Sequence, residues 1–135
     1  MSGEKRVSHV MTTRVATVGP DAKLGSIAKA FEKHPFHHLP VVGSDGRVAG
    51  IISDRDLMRA CVNGRFDDSK PCSSIMTKMI ASVPADATIR EAAQRLVKLG
   101  VNSLLILDDG KLKGIVTSRD VVKAVATGLD APPDP

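Results

Sequence analysis

Two stretches of the chain carry apolar residues at the spacing of an amphipathic helix. The first predicts a helix from about Leu24 to His34, and Pro35 ends it because proline disfavours the helical conformation in the residue before it. The second begins near Ile89, 65 residues later, behind a Thr-x-x-Glu capping box. The apolar faces are Leu24, Ile27, Ala28 and Phe31 in the first stretch, and Ile89, Ala92, Ala93 and Leu96 in the second.

Short β-branched and apolar runs around the first predicted helix indicate strands. Arg14–Val18 precedes the helix and His38–Val42 follows it, with Pro40 inside the second run. Because proline has no N–H, this strand should lie at an edge or start irregularly. A Ser-Asp-Gly turn ending at Gly46 predicts a hairpin to a third strand, Arg47–Ile52.

The stretch that follows this hairpin occurs twice. Gly50–Asp56 reads Gly-Ile-Ile-Ser-Asp-Arg-Asp, and Gly114–Asp120 reads Gly-Ile-Val-Thr-Ser-Arg-Asp, 64 residues later. His9–Thr12 likewise returns as Ser74–Thr77 at an offset of 65, so the two copies differ by one residue in the hairpin turn. Such a sustained match indicates an internal duplication.

Each copy is predicted to be a β-α-β-β-α repeat, with its last helix covering residues 54–62 in the first copy. The predicted organisation is repeat 1 at residues 7–64, a linker at 65–73, repeat 2 at 74–128, and a disordered proline-rich tail at 129–135. About 60 residues form a marginal core. We therefore expect an α/β (α+β) fold in which the two repeats pack sheet to sheet with pseudo-two-fold symmetry.

Composition narrows the function classes. Aromatic residues make up 2% of the chain and the net charge is +4 with scattered basic residues, which argues against nucleic-acid binding. Two cysteines without CxxC spacing predict reduced thiols. With no apolar run of roughly 20 residues and no secretory signal, the expected location is cytoplasmic, without a membrane partner.

The histidines invite a metal hypothesis, but the sequence does not support it. His34 and His37 lie on either side of Pro35, outside a regular helix, and no acidic residue or cysteine joins them at ligand spacing. A catalytic cysteine is equally poorly supported, since Cys61 lies near a helix end with no paired histidine in its motif. We therefore predict no metal, no catalytic residue and no required cofactor, which means that the chain is not an enzyme.

The duplicated Ser/Thr-x-x-Asp motif has two interpretations. In the first, Ser53 and Thr117 cap helices by accepting a backbone hydrogen bond, an effect worth about 1 kcal/mol. In the second, the helix start also binds an anion, because Arg55 and Arg119 place a cation where the helix dipole disfavours one. A phosphate would use the helix N–H groups and the guanidinium, whereas a local salt bridge, such as Arg55 to Asp54, would explain the arginine without a ligand.

The two repeats resemble a tandem pair of CBS domains, the modules named after cystathionine β-synthase. The matching segments are Val10–Thr12, His38–Val42 and Gly50–Asp56 in repeat 1, and Ile75–Thr77, Leu104–Leu107 and Gly114–Asp120 in repeat 2. The resemblance covers about residues 7–128. It implies a homodimer with two clefts per chain that bind AMP, ADP or ATP, or else S-adenosylmethionine or NAD. It also implies a stand-alone sensor that regulates a separate enzyme or transporter partner.

The resemblance further implies that each cleft combines the motif of one repeat with strand residues of the other. One predicted site consists of Thr117, Arg119, Asp120, Thr17, Phe36, His37 and His38. The other consists of Ser53, Arg55, Asp56, Ser82, Val101, Asn102 and Ser103. The Asp carboxylate would receive the ribose hydroxyls, and the strand residues would hold adenine. The first of these sites is expected to bind more tightly, since repeat 2 lacks the histidines.

Two alternatives remain at this stage. The module could dimerise or dock onto a partner with clefts that bind nothing, or it could bind nucleic acid weakly through its basic charge. Titration with nucleotides separates the ligand-binding hypothesis from the first alternative. Salt-sensitive nucleic-acid binding that survives nucleotide competition would support the second.

Overall fold

The computed structural model describes residues 4–128, so the predicted disordered tail at 129–135 lies outside the described residues. The chain forms two compact units. The repeat-1 unit is Ala16–Ile80, and the repeat-2 unit combines the described residues up to Val15 with those from Ala81 onward. The N-terminal segment, up to Val15, thus packs with repeat 2. The linker between the repeats packs with repeat 1.

The repeat-1 unit contains two helices and a two-stranded antiparallel sheet. Its elements are α1 (Leu24–Lys33), β1 (His38–Val42), β2 (Val48–Ser53) and α2 (Asp54–Val62), with β1 paired to β2. A short 3-10 turn at Cys72–Ser74 closes the unit. Its core consists of Leu24, Ile27, Leu39, Val41, Ile52, Leu57 and Cys72. The amphipathic spacing therefore predicted the buried side of α1 correctly.

The repeat-2 unit contains a three-stranded sheet and two helices. Its elements are β3 (Ser82–Val83), α3 (Ile89–Leu99), β4 (Ser103–Asp108), β5 (Lys111–Thr117) and α4 (Ser118–Thr127). In the sheet order β3-β4-β5, β3 is parallel and β5 antiparallel to β4. The core consists of Val7, Val83, Ala87, Ile89, Ala92, Leu96, Leu104, Ile106, Val116, Val121 and Ala124.

The N-terminal segment is held in the repeat-2 unit by a fully buried side chain and by backbone bonds. Val7 has no exposed surface, and its N–H donates to the Ala87 carbonyl at 2.8 Å. Thr12 and Ile115 then exchange a pair of backbone hydrogen bonds, both 2.9 Å long. Burial of this valine explains why the segment packs with repeat 2, although it precedes the repeat-1 unit in the sequence.

The predicted strand at 14–18 is wrong as an extended strand. Within this segment only Val18 pairs with β1, in a single parallel bridge to Val41. The Val18 N–H donates to the Pro40 carbonyl at 3.0 Å. The next bond of this ladder would need an N–H at Pro40, which proline lacks. In repeat 2 the corresponding residue is Leu105, and its N–H donates to the Ala81 carbonyl at 3.0 Å. One proline thus explains why β3 has no counterpart in repeat 1.

The predicted helix boundaries are otherwise confirmed. Helix α1 ends at Lys33, and His34 has an extended backbone (φ −124, ψ 150), as the proline after it requires. Helix α2 spans Asp54–Val62 as predicted, with Gly64 at φ 68 just beyond it. In the second hairpin, Asp109 and Gly110 form the turn with φ values of 53 and 76, as a two-residue turn demands.

The duplicated glycine of the Gly-Ile-Ile/Val stretch lies against the duplicated methionine-threonine pair. A Cβ at Gly114 would lie 2.7 Å from the Thr12 carbonyl oxygen and 2.8 Å from Met11 Sδ. A Cβ at Gly50 would lie 2.7 Å from the Thr77 carbonyl oxygen and 2.9 Å from the sulfur of the equivalent methionine. Both positions therefore favour glycine, because each backbone oxygen is held in place by a hydrogen bond of 2.9 Å from the N–H of Ile115 or Ile51.

Candidate functional site

Both copies of the Ser/Thr-x-x-Asp motif form capping boxes at the start of a helix. At α2, the Asp56 N–H donates to Ser53 Oγ at 3.1 Å, and the Ser53 N–H donates to Asp56 Oδ2 at 2.9 Å. At α4, the Asp120 N–H donates to Thr117 Oγ1 at 3.2 Å, and the Thr117 N–H donates to Asp120 Oδ2 at 2.8 Å. The capping interpretation of the motif is thus confirmed in both repeats.

The two carboxylates differ in what their other oxygen contacts. Asp56 is 9% exposed, and its Oδ1 lies 3.7 Å from Arg59 Nη1 and accepts from Thr77 Oγ1 at 3.4 Å. Asp120 is half-buried, and its capping oxygen Oδ2 also accepts from Thr117 Oγ1 at 3.0 Å. Its Oδ1 has no hydrogen bond or ion pair to any residue in the range 4–128. The second motif therefore keeps one acceptor oxygen available.

The arginine of each motif is exposed and has no ion pair among the described residues. The local salt bridge between Arg55 and Asp54, weighed above as the alternative to a ligand, is not formed. Asp54 Oδ2 lies instead 2.9 Å from His37 Nδ1, and this hydrogen bond lowers the pKa of the Asp54 carboxyl below its ordinary value of 3.8. With Arg119 equally unpaired, neither guanidinium is accounted for by a contact within its own unit.

The predicted strand residues of repeat 1 lie beside the first motif. The Asp54 N–H donates to the His37 carbonyl at 3.2 Å, and His38 pairs with Ser53 across the sheet. Phe36 packs against His34 in a stacked arrangement with ring centroids 5.2 Å apart. Thr17, His37 and His38 are exposed. The imidazole that stacks on Phe36 is thus that of His34, which is not among the predicted adenine-contacting residues, and their contact with adenine stays a prediction.

The corresponding residues of repeat 2 lie beside the second motif. The Ser118 N–H and Oγ both donate to the Asn102 carbonyl, at 2.8 and 3.2 Å, and Ser103 pairs with Thr117 across the sheet. Val101 donates its N–H to the end of α3, and Ser82 pairs with β4. Each predicted composite site joins residues of both units, and that combination stays a prediction.

A cavity adjoins each Asp. In the repeat-1 unit it has a volume of about 110 Å³ and is lined by Asp56, Arg59, Ala60, Asn63, Arg65, Ile75 and Thr77. In the repeat-2 unit it has a volume of about 270 Å³ and is lined by Lys5, His9, Val10, Asp120, Lys123, Ala124 and Thr127. Sequence reasoning missed Lys5 and Lys123, although the i, i+3 spacing from Asp120 marks the latter as a neighbour.

A larger depression lies elsewhere. About 660 Å³ in volume, it runs along α3 in the repeat-2 unit and contains Ser82, but neither motif reaches it. We therefore centre the candidate site on the Asp residues. Within residues 4–128, no three His, Cys, Asp or Glu side chains are grouped where they could hold a metal ion. In the same range, no helix has both the length and the apolar character needed to cross a bilayer.

The chain is similar to proteins and solved structures that share this architecture. It is 35% identical over 121 residues to the 17.7 kDa protein in the bps2 3′ region of Acidianus ambivalens, covering 89% of this chain and 73% of that protein. It is 32% identical to the inosine-5′-monophosphate dehydrogenase of Methanocaldococcus jannaschii, but it spans only 23% of that protein's length.

Two structural neighbours contain adenosine compounds. The crystal structure of the CBS domain pair of protein MJ0100 with 5′-methylthioadenosine and S-adenosyl-L-methionine matches with a TM-score of 0.77 at 25% identity, covering 92% of this chain and 98% of that one. The crystal structure of CBSX2 with AMP matches with a TM-score of 0.77 at 25% identity, covering 90% and 96%. A family model for the CBS domain matches residues 7–63 and 72–127. The chain therefore belongs to the CBS-domain family and contains two copies of the domain.

Proposed function

We propose that the chain is a regulatory module that binds an adenosine-containing ligand, chiefly at the second motif. The ligand class is AMP, ADP or ATP, with S-adenosylmethionine or NAD as the other members of the class. Support comes from the solved CBS pairs, of which MJ0100 holds 5′-methylthioadenosine with S-adenosylmethionine and CBSX2 holds AMP. The module would pass the binding signal to a separate enzyme or transporter.

The main support for the proposal is that the two oxygens of the Asp120 carboxylate have different partners. One oxygen is used by the helix cap, and the other has no partner among residues 4–128. An ionised carboxylate only accepts hydrogen bonds, so this oxygen suits a ligand with hydroxyl donors, such as a ribose diol. The cap meanwhile fixes the side chain in place, so little conformational entropy is lost on binding.

The neighbouring arginine supplies the second element of recognition. Arg119 is exposed in the first turn of α4, where the helix dipole disfavours a cation unless an anion approaches. A phosphate at this position would receive hydrogen bonds from the guanidinium, since the Ser118 and Asp120 N–H groups of the helix start already donate to Asn102 and Thr117. A ribose and a phosphate held by adjacent residues are features of a nucleotide.

The first motif should bind more weakly. Asp56 is more buried than Asp120, and Arg59 and Thr77 already contact its second oxygen. A ligand there must displace those contacts before it can use the carboxylate. The comparison ranks the two Asp carboxylates only. Which strand residues complete each site is a separate prediction.

The test is a melting-temperature and calorimetric titration with AMP, ADP, ATP, S-adenosylmethionine and NAD. At 100 times the dissociation constant, a ligand that binds only the folded state adds about 2.7 kcal/mol to the free energy of unfolding. We expect Asp120→Ala to abolish the shift in melting temperature, and Asp56→Ala to reduce it less.

The capping box of α3 offers a matched control in the same unit. There the Thr88 N–H donates to Glu91 Oε1 at 2.9 Å, and the Glu91 N–H donates to Thr88 Oγ1 at 3.0 Å. Glu91→Ala therefore removes the same kind of cap as Asp120→Ala, and it should leave ligand binding unchanged. Flat titrations with all five compounds at millimolar concentration would refute the proposal, as would equal loss of binding in both variants.

We also propose that the module is a homodimer that associates through solvent-exposed apolar side chains of α2 and α4. Both helices carry aliphatic side chains exposed to solvent, namely Met58 at 59%, Val62 at 85%, Val122 at 66% and Val125 at 57%. Apolar surface of this kind on two elements related by the duplication suits a self-complementary partner, because each copy would offer the same two faces.

A further inference from the structure

The cavity beside Asp120 is formed by two segments that are far apart in sequence. One wall is the face of α4 that carries Asp120, Lys123, Ala124 and Thr127, at i, i+3, i+4 and i+7. The other wall is the N-terminal segment, which contributes Lys5, His9 and Val10. Along α4 the cavity extends about 10 Å from the Asp, at 1.5 Å per residue.

The N-terminal wall is fixed rather than loosely attached. The Ile89 N–H donates to the Lys5 carbonyl at 3.0 Å, which ties this lysine to the start of α3. The Arg6 N–H donates to His9 Nδ1 at 3.1 Å, and the buried Val7 lies between the two. The lysine and the histidine are thereby held beside α4 by the same contacts that stabilise the unit.

The volume and the charge of this cavity both indicate that it binds part of an anionic ligand. A volume of about 270 Å³ is just below the roughly 300–1,000 Å³ typical of pockets that enclose a drug-sized ligand. The cavity has two lysines and a histidine against a single carboxylate. Within residues 4–128, neither Lys5 nor Lys123 has an ion pair, so both ammonium groups are available to an anion.

The equivalent cavity of repeat 1 is smaller, and its cation is engaged. Arg59 occupies the position that corresponds to Lys123, and its guanidinium lies 3.7 Å from Asp56 Oδ1. That cavity has a volume of only about 110 Å³. The two repeats therefore share the cap but not the open basic cavity, and a role for the cavity would be confined to the second motif.

We infer that this cavity receives the phosphates beyond the first of a nucleotide whose ribose is bound by Asp120 and whose first phosphate is bound by Arg119, an inference that rests on the proposed function. The cavity then selects among adenosine compounds by charge. Lys5 and Lys123 attract a phosphate chain and repel the sulfonium of S-adenosylmethionine. Adenosine, which carries no charge, gains nothing from the lysines. The site should therefore prefer ATP or ADP to adenosine and to S-adenosylmethionine.

Calorimetric titration of the full chain with ATP, adenosine and S-adenosylmethionine tests this order. We expect the unsubstituted protein to bind ATP at least tenfold more tightly than either other compound. Lys5→Ala with Lys123→Ala should lower ATP affinity roughly tenfold, as expected for the loss of two partly exposed charge contacts, and should leave adenosine affinity unchanged. Lys111→Ala with Lys113→Ala removes the same charge from exposed positions of β5, and it should change ATP affinity no more than about twofold.

The outcomes separate this inference from the proposed function. Equal affinity for ATP and adenosine, or tighter binding of S-adenosylmethionine, would overturn the phosphate-chain inference and leave an adenosine-binding module standing. An equal loss of ATP affinity in the two double variants would also overturn it, since general charge would then explain the preference. Absence of binding for all three compounds, and for AMP, ADP and NAD too, would overturn the proposed function as well.

Discussion

Substitution of Gly114 by alanine should destabilise the repeat-2 unit through a single contact. The new Cβ would lie 2.7 Å from the Thr12 carbonyl oxygen, whereas ordinary van der Waals contacts of a Cβ begin at 3.4 Å. One of the two groups must therefore move by about 0.7 Å to restore an ordinary contact. The oxygen is held by the Ile115 N–H at 2.9 Å, so its displacement would also stretch a backbone hydrogen bond.

The expected loss follows from these two effects. Overpacking of a fitted contact costs typically about 1–3 kcal/mol, and a weakened backbone hydrogen bond adds up to about 1 kcal/mol. Alanine also restricts the unfolded chain, which stabilises the protein by about 0.4–1 kcal/mol where the backbone conformation permits. The net loss should be about 1–3 kcal/mol, or roughly 3–15 °C in melting temperature for a chain of this length.

Gly19 provides the control that isolates the clash. A Cβ there would meet nothing within 4 Å, so Gly19→Ala retains the effect on the unfolded chain and creates no contact. The measurement is urea unfolding of both variants, monitored by circular dichroism because the chain has no tryptophan or tyrosine. If Gly114→Ala is within about 0.5 kcal/mol of Gly19→Ala, the steric argument is wrong. Gly50→Ala should reproduce the loss, since its Cβ would lie 2.7 Å from the Thr77 carbonyl oxygen.

The remaining predictions concern the two thiols and the proposed dimer. In the native protein iodoacetamide should modify Cys61, which is exposed, and not Cys72, because burial raises the pKa of the Cys72 thiol above its usual 9.0 and blocks access. Both should react in guanidinium chloride, and equal native rates would contradict the burial. Val62→Glu with Val125→Glu should shift sedimentation from dimer to monomer, and Cys61, on the same helix, should react more slowly as protein concentration rises. A monomeric unsubstituted protein would refute the dimer.

Local chemistry made most of the fold predictable from the sequence. The periodicity of α1 and α3, the proline after α1, and the glycines at the hairpin turns each act within a few residues, so one stretch of sequence contains the whole cause. The missing strand at 14–18 shows the limit. The sequence marked Pro40 as an irregularity in its own strand. Its effect falls on the neighbouring segment instead, because Pro40 has no N–H to donate to the Ala16 carbonyl.

The sequence could not predict which segments pack into the same unit, because that grouping also depends on distant residues. Val7 belongs to the core of the second repeat, and nothing in the valine itself indicates which of the two repeats it joins. The cavity residues Lys5 and His9 depend on that choice. By contrast, the motif residues could be identified, because their duplication at a fixed offset is visible without any knowledge of packing.

The structure also changes the relation between the two interpretations of the motif. Capping and ligand binding appeared to compete for the same residues, but a carboxylate has two oxygens and the cap uses one. At Asp120 the second oxygen is available, so a ligand could bind without breaking the cap. At Asp56 the second oxygen contacts Arg59 and Thr77, so capping there leaves less for a ligand. We therefore propose that the residue one helical turn beyond the Asp, arginine in repeat 1 and lysine in repeat 2, sets how readily each motif accepts a ligand.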